Sequence, residues 1–348
     1  MPGSFIFNFE SLAEFRPRCP TALLTVAGLL VALETGLRLI PEEKLIPARS
    51  HQGEMYFVER NVLPRIPRPQ VLVLGTSRIR RAVVPRQLDE LLGLPPNSTL
   101  NAGLDGGHAF EALHFYERNR AQLKQARLVI LNTDDWYLTC GWQLTSIFGV
   151  YAPWRDRLEL FEPQRSRLLL DGVFAMRLRL RLLHLSFSNW VTGLKDVPLG
   201  LMLDENNQVL PPPSGPDVPV NVDPTIYEAG IEDTYNRFAI CPVMVRHIEE
   251  LARLVREDGG RFVLMQLSNR SAYQVAVQKL HAADYALHVA TLGALAQRLD
   301  VPLAIFTQPS ECGLTDACYA DYGHVNRAGA RKFTVFLADL IKKEGWLK

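Results

Sequence analysis

Net charge is almost absent from this chain, which sets 38 Lys and Arg against 37 Asp and Glu in 348 residues. That balance, without a basic stripe interleaved with aromatics, gives a nucleic-acid partner no footing. There is no Gly-x-Ser-x-Gly elbow, no phosphate-cradling glycine loop and no His-Glu-x-x-His, which sets aside α/β-hydrolase, nucleotide and metalloprotease chemistry. Cysteine is scarce and odd in number, five in all. No histidines stand around the cysteines at zinc-site spacing, so neither a metal nor a cofactor is expected. Cys312 and Cys318 in ECGLTDAC are near enough in sequence to close a small disulfide loop, and Cys140 with Cys241 is a second candidate pair. Internal repeats are missing too. Apolar residues are not, at 47%, which is ample for a core.

One apolar run stands apart. TALLTVAGLLVALETGLRLI, residues 21–40, has the length a helix needs to cross a bilayer, and Pro41 stops it. Arg16 and Arg18 ahead of it favour a cytoplasmic segment over 1–20, a transmembrane anchor over 21–41 and an exported remainder, although Lys44 and Arg49 weaken the asymmetry. Glu34 and Arg38 lie four apart, where they can pair on one helical face. No small-x-small pattern closes the run, which disfavours a cleaved signal peptide; a buried core helix is the alternative. Residues 42–69 are rich in proline and charge and read as a linker, with the domain over 70–348.

From Val71 onward, short apolar runs (VLVLG, STLNAG, RLVILN, RFVLMQL, PLAIF) alternate with segments of helical period. That order predicts crossover units on a parallel sheet, a three-layer α/β domain. The pattern lapses over about 139–235, where MRLRLRLLHLSF and LPPPSGPDVPVNVDP stand, and this region reads as a helical insertion.

The chemistry concentrates at two distant points. VLVLGTSRIRRAVVP puts Ser77 at the carboxyl end of a strand and the start of a helix, where open α/β sheets bind ligands and free amides favour negative charge. Taken alone, the stretch fits equally a Thr76 or Ser77 that only caps the helix. Near the other end, CYADYGHVNRAGARKF sets Asp321 three residues before His324 and then enters a helix. A serine hydroxyl needs a base, and the base needs a carboxylate to orient it. Asp321 and His324 supply both on one loop.

With these blocks the sequence resembles the SGNH (GDSL-like) hydrolase superfamily. The resemblance implies a flavodoxin-like α/β/α sandwich and a triad of Ser77, Asp321 and His324. It also implies an oxyanion hole from the amides of Ser77 and of Gly106 in NAGLDGG, with position 134 contributing a side chain. There the sequence departs: LNTDDW puts Asp134 where the family carries an asparagine donor, and a carboxylate repels an oxyanion. Asp134 must then be protonated, point elsewhere or yield to another donor such as Asn132. Arg78 is a candidate for binding an acidic group on a substrate, with a solvated helix face as the bland alternative. His108 and Trp136 are further candidates near the cleft. The layout also resembles membrane-tethered envelope proteins that handle acyl groups on surface polysaccharides. The expected function is an extracytoplasmic serine esterase or O-acyltransferase acting on an acylated envelope glycan or lipid, with a membrane acyltransferase as partner. The rival is a non-catalytic binding or assembly protein on the same fold.

Overall fold

Alternation of side chains along apolar strands builds two cores at once. A computed structural model describes residues 19–39, 51–139, 146–153, 155, 156, 159, 202–203, 209–210, 231, 232, 234, 235 and 238–347. Its main sheet consists of β1 (Val71–Leu74), β2 (Thr99–Asn101), β3 (Leu128–Asn132), β4 (Arg261–Gln266) and β5 (Leu303–Ile305), in the order β2-β1-β3-β4-β5 and parallel throughout. Leu72, Leu74, Val129, Leu131 and Leu264 face one core; Val71, Val73, Leu128, Ile130, Val263 and Met265 face the other. Both faces of a parallel sheet must be covered, and helices do this.

In chain order the helices used below are α1 (Cys19–Leu39), α2 (His51–Phe57), α3 (Ser77–Ala82), α4 (Pro85–Leu92), α5 (Ala109–Arg118), α6 (Pro242–Glu257), α7 (Ser271–Leu299) and α8 (Arg327–Lys343). The first core takes residues from α2, α5, α6 and the end of α7; the second takes them from α3, α4 and α8. This is the expected flavodoxin-like α/β/α sandwich. The winding reverses between β1 and β3, so the carboxyl ends of those strands open a crevice at the switch point. Most of the insertion expected over 139–235 lies outside the described residues, apart from short pieces that include a two-stranded hairpin of Met202–Leu203 and Val209–Leu210.

Residues 21–39 of α1 are long and apolar enough to span a membrane, and none of that span is buried. Among the described residues, nothing covers that span as a core would. Arg38 Nε does reach Glu34 Oε1, at 2.6 Å.

Two expectations need correction. The linker over 42–69 is too long, because residues 51–66 belong to the domain: Met55, Val58, Val62, Leu63 and Ile66 are buried in the first core. Their helical spacing is masked in the sequence by charges such as Glu54, itself buried against Arg80. The domain thus includes α2 and does not begin at 70. Cys312 and Cys318 are both free thiols rather than a pair; Cys312 lies instead by Ser268 Oγ at 3.3 Å. Cys241 is disulfide-bonded, while Cys140 lies outside the described residues.

Because Met55 is fully buried, Met55→Ala should lower the unfolding free energy by about 2–5 kcal/mol in urea denaturation. A loss below about 0.5 kcal/mol would place α2 outside the core.

Candidate active site

The turn after β1 is tight because Gly75 takes φ +133°, and a Cβ there would lie 2.7 Å from the Asn132 carbonyl oxygen at the end of β3. Only glycine allows that approach. Thr76 then caps α3, its hydroxyl accepting from the Arg78 N–H at 3.1 Å. Capping is therefore the work of Thr76, which leaves Ser77 for something else. Ser77 Oγ lies 2.8 Å from His324 Nε2, and His324 Nδ1 lies 2.8 Å from Asp321 Oδ2.

Asp321 and His324 sit on a loop closed by an antiparallel bridge between Tyr319 and Val325. The Ala320 N–H donates to the His324 carbonyl at 2.8 Å, and Asp321 Oδ1 accepts from the N–H groups of Gly323 (2.9 Å) and His324 (2.7 Å). Burial alone would raise the Asp321 carboxyl; the hydrogen bond and charge of His324, with those two N–H groups, hold it down at about 2. The carboxylate is thus ionised whenever the imidazole needs it. Asn326 caps α8 by accepting from the Gly329 N–H at 2.9 Å. Glycine is needed at 329, since a Cβ there would collide with the Cys318 carbonyl oxygen.

On the opposite side, loop 103–107 wraps the same turn. The Leu104 N–H donates to the Gly75 carbonyl at 2.9 Å, and a Cβ on Gly107 would stand 3.2 Å from that oxygen. Gly106 has φ +59°. Ser77 begins α3, where N–H groups have no intrahelical acceptor. The loop that carries Gly106 thus lies against the turn that precedes Ser77.

Arg78 and Asp134 are not what the sequence suggests. Arg78 is 1% exposed, so it is neither a solvated face nor a surface substrate contact. Its Nη1 donates to Asp134 Oδ1 at 2.8 Å, Nη2 to the carbonyls of Leu267 (2.9 Å) and Ser268 (2.8 Å), and Nε to the Gly323 carbonyl at 3.1 Å. Asp134, fully buried, also accepts from Thr76 Oγ1 and from Asn132 Nδ2, the latter at 2.9 Å. Of the readings for the oxyanion position, the observed one is a carboxylate turned to Arg78. Asn132 Nδ2 gives one of its two N–H donors to that carboxylate. Asp135 alongside is fully buried, accepts from Gln266 Nε2 at 2.7 Å and Asn269 Nδ2 at 3.3 Å, and has its carboxyl raised by burial.

His108 and Trp136 are buried, and neither bonds to Ser77, Asp321 or His324. Burial lowers the His108 imidazole to about 4, so it is neutral near pH 7. No group of His, Cys, Asp and Glu among the described residues could hold a metal. Sequence reading missed the role of Arg78 because its acceptors lie up to 245 residues away.

No family model matches the chain, and no curated protein matches it. Among solved structures, a Bacteroides fragilis protein assigned as an acylhydrolase aligns at TM-score 0.39 and 13% identity, covering 84% of this chain and 97% of its own. A GDSL-like lipase from Bacteroides thetaiotaomicron aligns at TM-score 0.36 and 10% identity, covering 84% of this chain and 99% of its own. Similarity at this level leaves the functional reading to the site itself.

Breaking the buried pair should be costly. Arg78→Ala leaves Asp134 unpaired and should lose about 3–5 kcal/mol in chemical denaturation. Arg78→Lys, which keeps the charge but not the planar fork, should recover only part of it. Asp134→Asn should likewise lower stability, by about 1–3 kcal/mol, rather than restore an oxyanion donor. A wild-type midpoint in Arg78→Ala would show that the pair holds nothing.

Proposed function

We propose that the protein is a serine hydrolase or acyltransferase of the SGNH type that works through an acyl-enzyme. The observation that carries this reading is the unbroken chain from Ser77 Oγ through His324 to Asp321, with 2.8 Å at each link. Ser77 Oγ attacks an ester carbonyl while His324 Nε2 takes the hydroxyl proton. The oxyanion that forms lies against the N–H groups of Ser77 and Gly106. Collapse breaks the ester C–O bond, and His324 returns its proton to the departing alcohol oxygen. Water or a sugar hydroxyl then attacks the acyl group, again giving its proton to His324, and the acyl C–Oγ bond breaks as His324 passes that proton to Ser77 Oγ.

Location is part of the proposal. The apolar α1 supports a single-pass anchor, and a disulfide at Cys241 suits an oxidising compartment. Together they favour an extracytoplasmic domain, hence an acylated envelope glycan or lipid as substrate and a membrane acyltransferase as the source of acyl groups.

A fluorophosphonate probe should label the wild type and leave Ser77→Ala unlabelled. A wild type that neither labels nor hydrolyses a short acyl ester would favour the non-catalytic binding protein. Asp321→Asn should lower kcat by about 10³–10⁴-fold. Because the folded Asp321 is held at about 2, its contribution to stability is complete above its ordinary range and fades only as pH falls toward that value. An acid limb of kcat/KM above about pH 4 therefore belongs to another group.

A further inference from the structure

An oxyanion accepts up to three hydrogen bonds, and the proposed function assigns it two backbone N–H groups. Asp134 is committed to Arg78, Thr76 and Asn132, and Asn132, fully buried beneath the Gly75 turn, has one amide N–H on Asp134. The fold brings a different side chain to Gly106. His51, the first residue of α2, has Nε2 only 3.1 Å, and Cδ2 3.9 Å, from the point where a Cβ on Gly106 would stand. The imidazole edge therefore occupies the open face that the missing side chain leaves on Gly106.

That placement is enforced. One turn along α2, Glu54 Oε2 accepts from the Asp105 N–H at 3.2 Å and from Arg80 Nη1 at 3.2 Å, and Arg80 also pairs with Asp105. Gln52 Nε2 donates to Tyr151 Oη at 2.6 Å, and Met55 is fully buried. The helix that carries His51 is thus tied to the loop that carries Gly106. Among the described residues no hydrogen bond occupies the His51 ring. Burial and the nearby Arg80 lower its pKa against the opposing pull of Asp105, which favours a neutral ring with one N–H to donate.

We propose that His51 is a catalytic residue whose Nε2–H is the third donor to the oxyanion that forms when Ser77 attacks an acyl carbonyl, the contribution that position 134 does not make. This rests on the serine-hydrolase reading above. His51 transfers no proton; the Ser77 proton still goes to His324. α2 is then part of the active site.

The test uses the full chain in detergent, with p-nitrophenyl acetate hydrolysis and fluorophosphonate labelling as readouts. His51→Ala should lower kcat by about a hundredfold with KM changed less than about threefold. His51→Gln, which offers an amide N–H at similar reach, should recover about tenfold of that loss, and His51→Phe none. The Gln-against-Phe comparison decides the matter even if the alanine variant folds poorly. An active wild type with His51→Ala within about threefold of it, or a Gln variant no better than Phe, overturns the assignment and leaves the serine-hydrolase reading standing. A wild type that neither labels nor hydrolyses overturns both.

Discussion

The buried ion pair between Arg78 and Asp134 is the constraint on which the site depends. Taking both charges out of water costs several kcal/mol per ion, and only full hydrogen bonding offsets that. Here the guanidinium makes four bonds, to Asp134, Leu267, Ser268 and Gly323, and the carboxylate accepts from three donors. Those partners come from the end of β3, the segment after β4 and the loop before α8. One side chain, adjacent to the candidate nucleophile, thereby fixes three separate segments around it. The bond to the Gly323 carbonyl matters most for chemistry, since Gly323 directly precedes His324.

The rest of the arrangement follows from close backbone approach. Gly75 lets β1 and β3 meet below the turn, and the 103–107 loop can lie against that turn because its glycines present no Cβ. Thr76, by capping α3, keeps the Ser77 hydroxyl out of local backbone bonding. The site combines a rigid, ion-paired floor with a hydroxyl whose one described partner is the His324 ring.

Much of this was legible in the sequence. The runs VLVL, LVILN and RFVLMQ are strands because apolar residues on both alternating faces demand two covered layers, and GTS with DYGH marked the ends that meet. What stayed hidden depended on pairing across the fold. A carboxylate at 134 looks hostile to an oxyanion until Arg78 is seen beside it, 56 residues away in sequence. Residues 51–66 looked like a stalk because Glu54, Glu59 and Arg60 interrupt their apolar spacing, yet Glu54 is buried by ion pairing with Arg80. α7 runs from Ser271 through a kink at His281 to Leu299. The Cys312–Cys318 loop failed because proximity in sequence says nothing about where each thiol is buried.

The proposed function requires a covalent acyl intermediate on Ser77. Its most direct measurement is to mix the full chain with a slowly turned-over acyl ester, quench in acid, and map the added mass by peptide mass spectrometry. One acyl group on the peptide that contains Ser77 is the expected result. An ester hydrolysed with no acylated peptide, or with the acyl group on another residue, would contradict it.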